Sequence, residues 1–131
     1  MRATRGQRGQ ETLQAILVVA LVLLPVLVSI LTLASLVHTD LGARAAAAAG
    51  ARSAASAGGF GPTQLERVRR ELRDGGIDPA ACAVSATAAT VSLDEPITVS
   101  VRCPQHLGIP FLLERDVELG ANAVGHGEVN R

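Results

Sequence analysis

Hydrophobic and polar positions fall into three successive patterns along the chain. From Ala15 to Val37 the sequence reads AILVVALVLLPVLVSILTLASLV, 23 residues without a charge, with polar atoms only on Ser29, Thr32 and Ser35. A soluble helix carries an apolar stripe opposite a polar face, whereas this stretch is apolar all round. As a helix it is roughly 34 Å long at about 1.5 Å per residue, enough to cross a hydrocarbon core of about 30 Å. The pattern predicts a transmembrane helix over 15–37. Pro25, near its middle, lacks a backbone donor and clashes with the carbonyl of Leu21, which predicts a kink whose freed carbonyl a hydroxyl such as Ser29 can take up.

The second pattern is alanine. Ten of the fifteen residues from Ala43 to Ala57 are Ala, the best helix former, so the span is expected to continue as one rod through 38–57 and to stop at Gly58 and Gly59. Gly42, Ala46, Gly50 and Ala54 recur every four residues, a line of small side chains that lets another backbone approach closely. Three readings of this line stand: packing against other subunits, low-complexity composition with no packing role, or cover by the chain's own outer domain.

The third pattern fills residues 58–131. Thr63, Gln64, Leu65 and Glu66 read as a capping box after Pro62, and Leu65, Val68 and Leu72 follow at helical spacing until Gly75 and Gly76. The charges of that short helix are expected to form a solvated face with internal pairs. Alternation then changes to period two. Val84 to Val91 and Ile97 to Arg102 predict a hairpin turning at Asp94, Glu95 and Pro96, and Val117 to Ala123 predict a third strand. The connector HLGIPFLL between the second and third strands contains Pro110, which is expected to block regular pairing there. The fold class is therefore α+β: a long N-terminal helix that forms one wall of the core, a small antiparallel sheet and one short helix.

Cys82 precedes the first strand and Cys103 ends the second. Pairing Val91 with Ile97 sets Cys103 opposite Ser85, with Cys82 close by, and one disulfide is expected over two free thiols.

Charge adds direction. The 131 residues balance 12 basic against 12 acidic groups, and every basic one is arginine. By region the net charge is +2 over 1–14, zero over 15–37, +1 over 38–57 and −3 over 58–131. Arg2, Arg5 and Arg8 ahead of the span keep a leader of residues 1–14 in the cytoplasm, so the domain after the span is extracytoplasmic. A cleaved secretory signal is the rival, with an apolar region normally of about 7–15 residues. The lack of Trp and Tyr, with only Phe60 and Phe111 as large aromatics, removes the stacking side chains of a single-strand nucleic-acid binder.

The sequence offers no catalytic constellation. His38, His106 and His126 are isolated, without metal-ligand spacing. The serines lack a G-x-S-x-G elbow, and the cysteines are too far apart for C-x-x-C. Gly58, Gly59 and Gly61 around Phe60 follow no strand, and there is no lysine to reach a phosphate. No enzyme activity, cofactor or metal is expected.

Three segments together, RGQETLQ ahead of the span, AAAAAGARSAA after it and DVELGANAVGHGE near the end, resemble the TadE-like minor pilins of Flp (Tad-type) pili, and more loosely the type IV pilin class. The resemblance implies a basic leader cut after a Gly by a prepilin peptidase, and a Glu at the fifth position beyond the cut. It also implies a pilin-like fold and a role in pilus assembly, with the assembly machinery and other pilin-like subunits as partners. Gly6 places Glu11 at the fifth position. Gly9 places Gln14 there, with the apolar run following at once. The boundary of the span favours Gly9 and the carboxylate favours Gly6, while an uncut anchor with Glu11 in the interface is the third possibility. In the family the carboxylate pairs with the mature N-terminal amine inside an apolar bundle, where an unpaired charge is expensive. The contrasting functional reading is a single-pass anchor carrying a small extracytoplasmic adaptor or sensor domain that does not polymerise.

Overall fold

The computed structural model describes residues 5–109 and 113–130. It is α+β, in the order α1 (Arg5–Ala57), α2 (Pro62–Asp74), β1 (Ala83–Ala86), β2 (Pro96–Ile109) and β3 (Leu113–His126). The three strands form one antiparallel sheet in the order β1-β2-β3.

Helix α1 has 53 residues, about 80 Å of continuous rod. It begins ahead of the apolar run, because Arg, Gln and Glu of the leader are themselves good helix formers and no proline interrupts them. It passes through Pro25 without a break. It ends where expected: Gly58 and Gly59 both take positive φ, and Gly59 N–H donates to Ala54 O at 2.9 Å. A side chain at Gly59 would strike the backbone of Ala89 and Thr90, so glycine is required twice over there.

Helix α2 is capped by a different set of residues from the one expected. Gly61, not Thr63, is the N-cap; Pro62 follows it, and Gln64 Oε1 accepts from Gly61 N–H at 3.0 Å. Glycine has no side-chain oxygen, so only half of the reciprocal box forms, while proline at the first helical position costs no donor. Val68 and Leu72 are buried and face α1 and the sheet, and Glu66 pairs with Arg73 on the exposed side. Gly75 and Gly76 end the helix, with Ile77 N–H returning to Leu72 O at 2.9 Å.

The sheet departs from the expected register and extents. Strand β1 stops at Ala86 because the chain beyond it leaves β2 to seal the end of α1. Phe60 N–H donates to Ala89 O and Val91 N–H to Gly58 O, both at 3.0 Å. Ser85 therefore opposes Ser100, not Cys103. The expected irregular connector is also corrected. His106 to Ile109 continue β2, Leu113 already begins β3, and the ladder runs unbroken from Pro96 opposite His126 to Ile109 opposite Leu113. Pro110 lies between these strand ends in sequence, outside the described residues. Pro104 is tolerated inside β2 because β1, which pairs with residues 99–102, no longer flanks it.

One face of the sheet packs on the outer half of α1 and on α2. Ala43, Ala46, Ala47, Ala51 and Ala54 are buried against Val68, Leu72, Ile97, Val99, Val101 and Cys103. Alanine makes this possible: its short side chain lets the rod lie close to the sheet, so a core without Trp or Tyr still closes.

Candidate functional site: the two halves of the long helix

Residues 13–37 of α1 touch little of the molecule. Leu21 is 70% exposed and Leu33 63%, and among the large apolar side chains of this half only Val28 and Leu36 are half-buried. One helix among the described residues is long and apolar enough to cross a membrane, and it is this one. Its hydroxyls are satisfied within the helix. Ser29 donates to Pro25 O at 2.7 Å, Thr32 to Val28 O at 2.8 Å and Ser35 to Thr32 O at 2.8 Å. Such internal pairing removes the cost of placing a hydroxyl among acyl chains. Ser29 bonds the carbonyl of Pro25 itself, not that of Leu21, to which the sequence reading had directed it.

The outer half is the opposite. At Gly42 an added Cβ would stand 2.5 Å from Ile77 Cδ1, and at Gly50 it would stand 2.5 Å from Val68 Cγ2. Ala46 and Ala54 are wholly buried. The four-residue line of small side chains thus lies under the chain's own domain.

Two polar contacts mark the junction between the halves. His38 Nε2 donates to Gly75 O at 2.8 Å, which fixes the proton on that nitrogen because a carbonyl can only accept. Thr39 Oγ1 lies 3.0 Å from Ser35 O and 3.1 Å from Gln105 Oε1. Its single proton goes to one carbonyl, and turning the Gln105 amide lets Nε2 donate back to the hydroxyl. The base of the domain is thereby held to α1 just past the apolar run. Sequence reasoning missed both contacts, since periodicity carries no information on which distant residue meets a side chain.

Cys82 and Cys103 form a disulfide with their Cα atoms 4.3 Å apart. Ala83 opposes Arg102, so one step further along the ladder brings the two cysteines face to face. The bond ties the segment ahead of β1 to the central strand.

Gly6 and Gly9 lie in the first turns of α1. A Cβ on Gly9 would meet nothing within 4 Å. Glu11 and Gln14 are exposed on the same helix. Among the histidines, His106 Nδ1 lies 2.7 Å from Asp116 Oδ1, directly across the β2–β3 ladder. The hydrogen bond to Asp116 and its charge raise the His106 pKa above the usual 6.5, with Glu114 adding to the effect. His126, at the end of β3, lines an open hollow with Arg52, Asp94 and Glu128. Among the described residues no three of His, Cys, Asp and Glu gather as metal ligands. Among the described residues the most distinctive surface is therefore the exposed apolar half of α1. Comparison with family models, curated proteins and solved structures finds no match to the chain.

Proposed function

We propose that this chain is a membrane-inserted structural subunit, a TadE-like minor pilin that joins or primes a surface pilus through α1. The observation that carries the reading is the division of one unbroken helix. Residues 13–37 are exposed and apolar, while the outer half is already occupied by the chain's own domain. In water the inner half would be an aggregation liability. In lipid it is stable, and in a bundle of like helices lipid contacts exchange for helix contacts at small net cost. The leader arginines place the N-terminus in the cytoplasm. The partners are then the bilayer, the pilus assembly machinery and other pilin-like subunits, with a prepilin peptidase acting at Gly6 or Gly9.

Mass spectrometry of the membrane-derived protein, with and without a prepilin peptidase, tests this. Peptidase-dependent loss of six or nine residues supports the pilin reading. An intact N-terminus in both samples favours the second reading, an anchor whose domain serves as an adaptor or sensor. One observation favours that alternative: the small-residue line suited to close helix packing is covered within the chain.

A further inference from the structure

The sheet carries charge lower along α1 than the rod's own sequence does. Two close approaches fix how β2 runs beside the helix. A Cβ on Gly50 would stand 3.2 Å from Val99 Cγ1, and Thr39 Oγ1 lies 3.1 Å from Gln105 Oε1. Between Val99 and Gln105 the strand therefore descends from the level of Gly50 to that of Thr39, about two helix positions for each strand residue, as the two rises require. Strand β3 is paired with it beyond that point. Asp116 opposes His106, Arg115 opposes Leu107 and Glu114 opposes Gly108. At the same slope these three charges stand level with about Val37, Ser35 and Leu33 of α1.

Those levels belong to the uncharged run of the rod. On α1 itself the first charge above the run is Asp40, paired with Arg44 at 2.8 Å. Glu114 brings charge roughly 10 Å nearer the cytoplasmic end. Glu114, Arg115 and Asp116 are all exposed, so the domain does not shield them. A charged side chain is expensive among acyl chains and at home among headgroups. The hydrocarbon beside α1 must then end near Leu33. The rod has the length to allow it: residues 13–33 are 21 uncharged positions, about 32 Å of helix against a hydrocarbon core of about 30 Å. Leu13 at the inner limit and Leu33 at the outer are 68% and 63% exposed.

We propose that Glu114, Arg115 and Asp116 form a phospholipid headgroup contact that sets the depth of the rod, so that hydrocarbon covers residues 13–33 in place of 15–37. This rests on the reading of α1 as membrane-spanning. Arg115 offers a guanidinium to lipid phosphate. Glu114 and Asp116, on the other face of the strand, oppose any deeper entry. Val37 and Leu41, 52% and 60% exposed, then stand in the headgroup layer and not among acyl chains. At the opposite end Glu11 becomes the first charge beyond the hydrocarbon, two residues from Leu13.

Both native cysteines are bonded, so a single introduced thiol labels cleanly. The test uses the full chain in phosphatidylcholine and phosphatidylglycerol vesicles, with a fluorophore on Leu21→Cys in the span or on Val37→Cys above the proposed boundary. Quenching by aqueous iodide is expected to be at least about threefold stronger at 37 than at 21. In the triple variant Glu114→Ala, Arg115→Ala, Asp116→Ala the base sinks, and quenching at 37 falls toward the value at 21. The charge-preserving set Glu114→Asp, Arg115→Lys, Asp116→Glu keeps the native value, which separates charge from folding. Position 37 as protected as 21 in the native chain, or as accessible in the triple variant as in the native chain, overturns the depth-setting contact alone. Absence of quenching at 21 by spin-labelled lipid overturns the membrane reading and this inference with it.

Discussion

Gly50 of α1 and Val68 of α2 meet so closely that a methyl group on Gly50 would stand 2.5 Å from Val68 Cγ2 and 3.2 Å from Val99 Cγ1. Both valines are wholly buried, and their branched side chains have little rotamer freedom to withdraw. Gly50→Ala gains helix propensity of about 1 kcal/mol but overpacks the core at a cost of about 1–3 kcal/mol. The expected net effect is destabilisation, read as a lower denaturant midpoint for the detergent-solubilised protein. Unchanged or raised stability would show that α2 can shift away from the rod.

The disulfide closes a loop with a sequence separation of 21. Chain-entropy reasoning assigns such a loop about 3 kcal/mol, a large share of the stability of a domain this small. Reduction, or the paired substitution Cys82→Ser with Cys103→Ala, is expected to lower the unfolding midpoint of the domain sharply. The helical circular dichroism contributed by residues 13–37 should survive, because that half of α1 does not depend on the domain. Simultaneous loss of both signals would count against the division of α1 into two halves.

At Thr39 the hydroxyl is the polar group of a buried side chain, 8% exposed, and it reaches both Ser35 and Gln105. Thr39→Val keeps the shape and removes the bonds, leaving Gln105 without its link to α1. The expected cost is about 0.5–1.5 kcal/mol. Faster amide exchange is expected at Gln105 and its neighbours toward the end of β2, with exchange near Ile97 unchanged.

His106 supplies the pH dependence. Its pKa is raised in the folded protein by the bond to Asp116 and by the charge of Asp116. A raised folded-state value means that the pair contributes stability fully below the unfolded value and loses it as pH rises through the folded one. Nuclear magnetic resonance titration of the imidazole is therefore expected to show a midpoint above 6.5, falling toward 6.5 in Asp116→Asn. A midpoint unaffected by Asp116→Asn would mean that the cross-strand pair is not formed in solution.

Local chemistry was legible in the sequence and tertiary choice was not. Gly58 and Gly59 announce the end of α1, where both take positive φ, and Gly75 and Gly76 that of α2, where Gly76 does. Three strands and the bonded cysteines were also readable from alternation and spacing. The register of β1 was not. A hairpin turning at Asp94 is the local solution, and the chain instead spends residues 89–91 on the backbone of Gly58 and Phe60, a demand created by the helix end. Pro110 misled in the same way: it signalled an interruption, and the ladder extends to Ile109 and Leu113 on either side of it. In the candidate site, the apolar half of α1 could be read directly from composition. The clasps at His38 and Thr39 could not, since they depend on where α2 and β2 come to rest.

The absence of any hinge between the two halves of α1 fixes an angular relationship as well as a distance. Each residue of a helix advances the azimuth by about 100°, so Pro25, Ser29 and Thr32 keep a set compass bearing relative to the sheet above them. Inserting a single alanine between Val37 and His38 would leave both halves intact and swing the exposed apolar side chains by about 100° around the axis. Any neighbour that must engage both halves at once would see the subunit as misaligned, and deletion of one residue would turn it the other way.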